Sequence, residues 1–232
     1  MESKARQIHG QAEHAREGGD FLDSLKFTDE ATVLYQQEND GLGFAEVQAS
    51  RFLTYKHLHE QTGYKGYLVL AKFAAQASVE TAEMSGIDSA KSLPYFNLAK
   101  AHQLLDELPA AIENFKKSIE LMDKFPSEKH QSFKGLIIAD MSSHLAFAEY
   151  KNGDKTALDR MLQAISSLDS EDGPTYQKDV WRSGAHMRTA EMLKQDDLEK
   201  AEEHLQKAKE IIDTNPDLKL RLGQWEKLAK SF

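Results

Sequence analysis

The sequence predicts an all-α chain made of helical hairpins laid side by side, and three observations carry that prediction. The stretch from Tyr95 to Leu121 spaces its bulky positions at helical intervals, interrupted once at Asp106-Glu107. Its small positions fall where two antiparallel helices come closest. The turn then returns along the whole length as Gly18-Gly19-Asp20, Thr62-Gly63, Asp106-Glu107, Gly153-Asp154 and Asp196-Asp197. Successive turns lie 44, 43, 47 and 43 residues apart, so five hairpins fill the chain. Composition agrees: 40% of residues are hydrophobic, and the 5 prolines are too few to punctuate an all-β fold.

Tyr95-x2-Leu98-Ala99-x2-His102, followed by Ala111-x3-Phe115 and Pro126, resembles the tetratricopeptide repeat (TPR). His102 stands for an aromatic, Ser118 for alanine, and Pro126 comes about one turn late, which lengthens the second helix. The second helices also repeat a pair of positions seven apart: Ser24/Ala31, Leu68/Ala75, Ala111/Ser118, Ala157/Ala164 and Ala201/Ala208. The resemblance implies a right-handed α-solenoid of five elongated TPR-like hairpins plus a C-terminal capping helix. It spans one domain over residues 1–232, with units at 1–43, 44–86, 87–126, 127–172 and 173–214 and the cap at 216–232.

Unit one reads as a helix over residues 2–17, the glycine stop, and a helix from Asp20 as N-cap to about Gln37. Asn39-Asp40-Gly41 ends it, Gly41-Leu42-Gly43 reads as a connection, and unit two opens with a helix from Phe44 to Glu60. Its second helix, Tyr67 to about Met84, holds Leu68, Val69, Leu70, Ala71 and Phe73, and this apolar run predicts a central, buried element. Ser92-Leu93-Pro94 and Leu108-Pro109 read as helix starts with proline in the first turn. Leu136, Ile137, Ile138, Met141, Leu145, Phe147 and Tyr150 put apolar groups on more than one face of the first helix of unit four. Ser170 to Pro174 is a loop, and Trp181 anchors unit five. Beyond Asn215-Pro216, the stripe Leu218, Leu222, Trp225, Leu228 and Phe232 serves either as the end cap or as a homodimer contact.

The formal net charge of −9 works against a general nucleic-acid or anionic-membrane role. No apolar run approaches the roughly 20 residues of a bilayer span. The first residues lack a signal-peptide core, and the absence of cysteine fits a reducing, cytoplasmic setting. Charge is uneven: residues 1–50 sum to −6 and residues 51–100 to +2, so the second stretch either is an ordinary solvated surface or faces an acidic partner.

No phosphate loop, no Gly-x-Gly-x-x-Gly, no Gly-x-Ser-x-Gly and no His-Glu-x-x-His occurs, so no catalytic, cofactor or metal residues are expected. Histidines recur on first helices: His14 and His57, His59 and His102, His102 and His144, His144 and His186 lie 42 or 43 apart. Their phases relative to the turns differ, which favours packing roles over a shared ligand ladder. The TPR resemblance points to a non-catalytic scaffold that takes a partner's peptide or helix along the first helices. The partner-binding candidates are Asn97, Lys100 and Gln103, with His144 and Phe147. The alternative is a sensor module that binds a short signalling peptide or small ligand.

Overall fold

The computed structural model describes residues 3–232, and among them every regular element is helical. The chain forms two compact units, Met1–Leu121 and Met122–Phe232. The first contains α1 (Lys4–Gly18), α2 (Phe21–Gln37), α3 (Gly41–Thr62), α4 (Gly66–Met84), α5 (Ser92–Leu104) and most of α6 (Leu108–Lys124). The second contains α7 (Glu128–Gln131), α8 (Lys134–Lys151), α9 (Ala157–Ser170), α10 (Thr175–Leu193), α11 (Leu198–Thr214) and α12 (Lys219–Ala229).

Each expected turn separates two helices, and four of the five turns pass through the left-handed region: Gly19 at φ 87°, Gly63 at 72°, Asp106 at 61° and Gly153 at 102°. All ten of the paired positions seven apart are buried. Small residues there let the helices close up, and serine hydroxyls at or near these positions stitch neighbouring helices together. Ser92 Oγ donates to the Ser118 carbonyl and Ser118 Oγ to that of Ser92, both at 2.9 Å, joining α5 to α6. Ser78 Oγ donates to the Ala45 carbonyl, joining α4 to α3.

Successive first helices pack directly on one another, α1 with α3 and α3 with α5 in one unit, α8 with α10 and α10 with α12 in the other. Among the described residues no comparable packing joins α2 to α4 or α9 to α11. The first helices therefore form the crowded side of each unit. In the second unit the core gathers Leu136, Phe147, Met161, Leu168 and Met192, and Trp181, expected to anchor unit five, packs against this core of α8, α9 and α10.

Several boundaries differ from the sequence reading. The expected start at residue 2 lies outside the described residues. Gly41 to Gly43 is not a connection: α3 begins at Gly41, three residues before Phe44, because Asp40 caps it by accepting from the Gly43 N–H at 2.8 Å. Replacing Asp40 with Ala removes that acceptor and is expected to cost about 1 kcal/mol, measurable by urea denaturation. Asp20 occupies the N-cap of α2 without a side-chain capping bond. Ser92 is the first helical residue of α5 and spends its hydroxyl on Ser118, a short 3₁₀ turn at Asp88–Ala90 having come before it. α4 is not buried all round. Leu68, Ala71, Ala75 and Val79 face the core, whereas Val69, Leu70 and Phe73 are exposed, Phe73 at 65%. A hairpin has one inner side, so an all-apolar helix must leave part of itself outside.

Candidate functional site

The expected partner-binding residues belong to first helices, α5 in one unit and α8 in the other. On α5, Asn97 is buried, while Lys100 and Gln103 are partly exposed. The Lys100 ammonium sits 4.5 Å from the Phe96 ring centroid and 5.7 Å from that of Phe52 on α3. An ammonium held over two buried aromatic rings is a positioned cation. Beside it on α3, Lys56 bonds Glu60 at 2.5 Å and His57 bonds the same carboxylate at 3.0 Å. Against burial, which raises it, the His57 hydrogen bond and the Lys56 ammonium hold the Glu60 carboxyl far below its ordinary range.

In the second unit, His144 and Phe147 are both on α8. Phe147 is 7% exposed and belongs to the core, so its part in any contact is to back the surface rather than to form it. His144 Nε2 accepts from Arg188 Nη1 on α10 at 3.0 Å, which leaves that imidazole neutral. Arg188 Nη2 donates to Ser143 Oγ at 2.6 Å and to Asp140 Oδ1 at 3.3 Å. Burial pushes the Arg188 guanidinium down to about 10, against the pull of Asp140 and with the help of Arg221 on α12. Gly184 makes room for this arrangement. A Cβ there would lie 3.2 Å from Arg221 Nη2 and 3.3 Å from Arg188 Nη1, so two guanidinium groups approach the bare backbone of α10.

Sequence reasoning passes over Arg188, although a signal for it exists. Lys56, Lys100, His144 and Arg188 stand 44 residues apart in turn, one repeat period, so a basic type recurs on α3, α5, α8 and α10. The step goes unnoticed when histidines are counted among themselves. The remaining histidines have separate roles. His57 stacks on Phe21 and His102 bonds Glu107, while His186 meets His204 on the side of α10 away from Arg188's network. His9 is buried between Tyr35 OH at 3.1 Å and Ser50 Oγ at 2.7 Å. That serine–histidine contact resembles a nucleophile and its base, yet His9 and Ser50 are 2% and 4% exposed. It is a satisfied core network, closed to substrate.

No cluster of three or more His, Asp or Glu among the described residues is arranged to hold a metal ion. No helix among them is long and apolar enough to cross a membrane. No family model and no curated protein matches the chain. Solved structures do. A kinesin light chain-like protein of Podosopora anserina with nearly identical TPR-like repeats superposes with a TM-score of 0.60 at 15% identity, covering 93% of this chain and 99% of that one. A substituted form of the same protein gives 0.61 at 14% identity, with the same coverage of both chains. BtubC (BKLC) from P. vanneervenii gives 0.62 at 18% identity, covering 90% of this chain and 80% of that one. At such identities the likeness is one of fold, and it bears out the all-α solenoid with TPR-like repeats.

Proposed function

We propose that the chain is a non-catalytic interaction module that takes an acidic extended or helical segment of another protein along the first-helix faces. The observation that carries this reading is the basic residue repeated on successive first helices, Lys56 and Lys100 in the first unit and His144 and Arg188 in the second. In a chain of net charge −9, the repeat period keeps a basic side-chain type on the first helices of each unit, cationic at Lys56, Lys100 and Arg188 and a neutral imidazole at His144. Lys100 and Gln103 supply the polar contacts, with the buried Asn97 behind them and Phe52 and Phe96 under Lys100. His144, backed by Phe147, and the Arg188 network do the same in the second unit. Other TPR-like repeat proteins as a class bind protein segments, which supports the choice of partner. The stripe on α12 favours capping over self-association: Leu218 is buried, Trp225 Nε1 donates to the Leu205 carbonyl at 2.9 Å, and the Lys194 ammonium lies over the Phe232 ring.

The test is a panel of fluorescein-labelled acidic peptides read by anisotropy. Lys100→Glu is expected to weaken the best binder by tenfold or more, about 1.4 kcal/mol, and added salt is expected to weaken it as well. Glu80→Lys, on the exposed side of α4, is expected to change nothing. Equal loss from both variants, or no peptide bound, would overturn the assignment.

A further inference from the structure

We propose that the cleft between α9, α10 and α11 is a proton-linked site for a carboxylate on a short apolar chain, received by the imidazoles of His186 and His204. It lies apart from the first-helix contacts and does not depend on them. His186 Nδ1 and His204 Nδ1 are 2.8 Å apart. Their ring centroids are 5.1 Å apart, close to that gap plus one ring radius at each end, so the nitrogens meet head-on. This is the geometry of one shared hydrogen. It does not suit a chelated metal, for which both lone pairs must converge on a third point.

The two rings line a cleft of about 430 Å³ together with Leu162, Ile165 and Ile211. Leu162 is 43% exposed, and with the two isoleucines it gives the cleft an apolar wall. The charged groups facing the imidazoles are Asp169 from α9, Arg182 from α10, and Glu203, Lys207 and Glu210 from α11. Arg182 Nε is spent on Asp169 Oδ1 at 2.6 Å. Lys207 forms no ion pair among the described residues, and it is the cation left for an incoming anion.

Two neutral imidazoles carry two N–H hydrogens, one of them shared between the Nδ1 atoms. A third proton turns both Nε2 atoms into donors and leaves one positive charge on the pair. The cleft by itself holds that proton off. Burial, the neighbouring His204, Lys207 and Arg182 push His186 down to about 4 against the pull of Asp169, and burial and Lys207 also lower His204. A carboxylate in the cleft offsets the nearby cations and restores the basicity of the pair. Ligand and proton then bind together.

Calorimetry with butyrate and with N-acetylglutamate amide, in paired buffers of different ionisation enthalpy, reads both affinity and proton uptake. Uptake approaching one proton is expected at pH 5.5, with affinity rising about tenfold in all from pH 7.5 to 5.5. His204→Gln and His186→Gln are expected to abolish that dependence, and Lys207→Ala to weaken binding severalfold, with circular dichroism checking the fold of each. Binding of butyrate alone assigns the site to free acids and binding of the amide alone to a partner's side chain, and either supports the proposal. No binding by about 50 mM at pH 5.5, binding without proton uptake, or an unchanged pH dependence in a folded His204→Gln variant would overturn it.

Discussion

Gly43→Ala is expected to destabilise the protein by about 2 kcal/mol, although helix propensity alone argues for a gain of about 1 kcal/mol at a position inside α3. The reason is the ring of Tyr35. A Cβ on Gly43 would lie 2.1 Å from Tyr35 Cε1 and 2.3 Å from Cδ1, far inside van der Waals contact. The ring has no room to retreat. Tyr35 is fully buried among Ala5, Ala31 and Val47, and its hydroxyl is held by His9 Nδ1. Gly10 supplies the control. It is exposed in the middle of α1, and a Cβ there meets nothing within 4 Å. Gly10→Ala is expected to raise stability by about 0.5–1 kcal/mol. Urea denaturation of the two variants checks the opposite signs, and a stabilised Gly43→Ala protein would mean that α2 and α3 do not press together as described.

What is legible in the sequence is what depends on short-range spacing. The turns at Gly19, Gly63, Asp106 and Gly153 announce themselves because a left-handed residue is needed to end one helix before the next begins. The small pairs seven apart are legible because close helix packing tolerates few side chains there, and all ten are buried. Exposure of Val69, Leu70 and Phe73 is not legible: an apolar run states that a helix has greasy faces, not how many neighbours will cover them. The site is legible in part. Lys100 stands out from its place on α5, but the rings beneath it come from two helices, and Phe52 precedes it by 48 positions. Arg188 escapes notice since its interest lies in Asp140, Ser143 and His144 across a helix gap and in a glycine that makes space. His186 and His204, on separate helices, become a pair only in three dimensions.

Stability is expected to fall by about 3 kcal/mol from His186 alone as pH drops from about 7 to about 4. The sign follows from the direction of the shift. An imidazole whose folded pKa is lowered binds fewer protons in the folded than in the unfolded chain, so its contribution is complete above the ordinary value of 6.5. It is lost as pH falls through 6.5 toward the folded value, about 4 for His186. His9 and His57 move the same way through burial, and so does His204, hence each adds to the loss. Protonating His9 disrupts a network in which its two nitrogens already serve Tyr35 and Ser50. Glu191 opposes them, because burial raises its carboxyl and favours the protonated folded form in acid. The depressed Glu60 carboxyl adds to the loss only once pH falls below its ordinary value of 4.5. Urea denaturation at pH 7.5, 6.0, 5.0 and 4.5 on the parent and on His186→Gln separates these contributions. The variant is expected to show a shallower fall between pH 6 and 4.5, since a glutamine cannot take up the proton that the buried imidazole resists. Identical slopes for the two proteins would show that His186 does not meet that resistance, whatever the other histidines do.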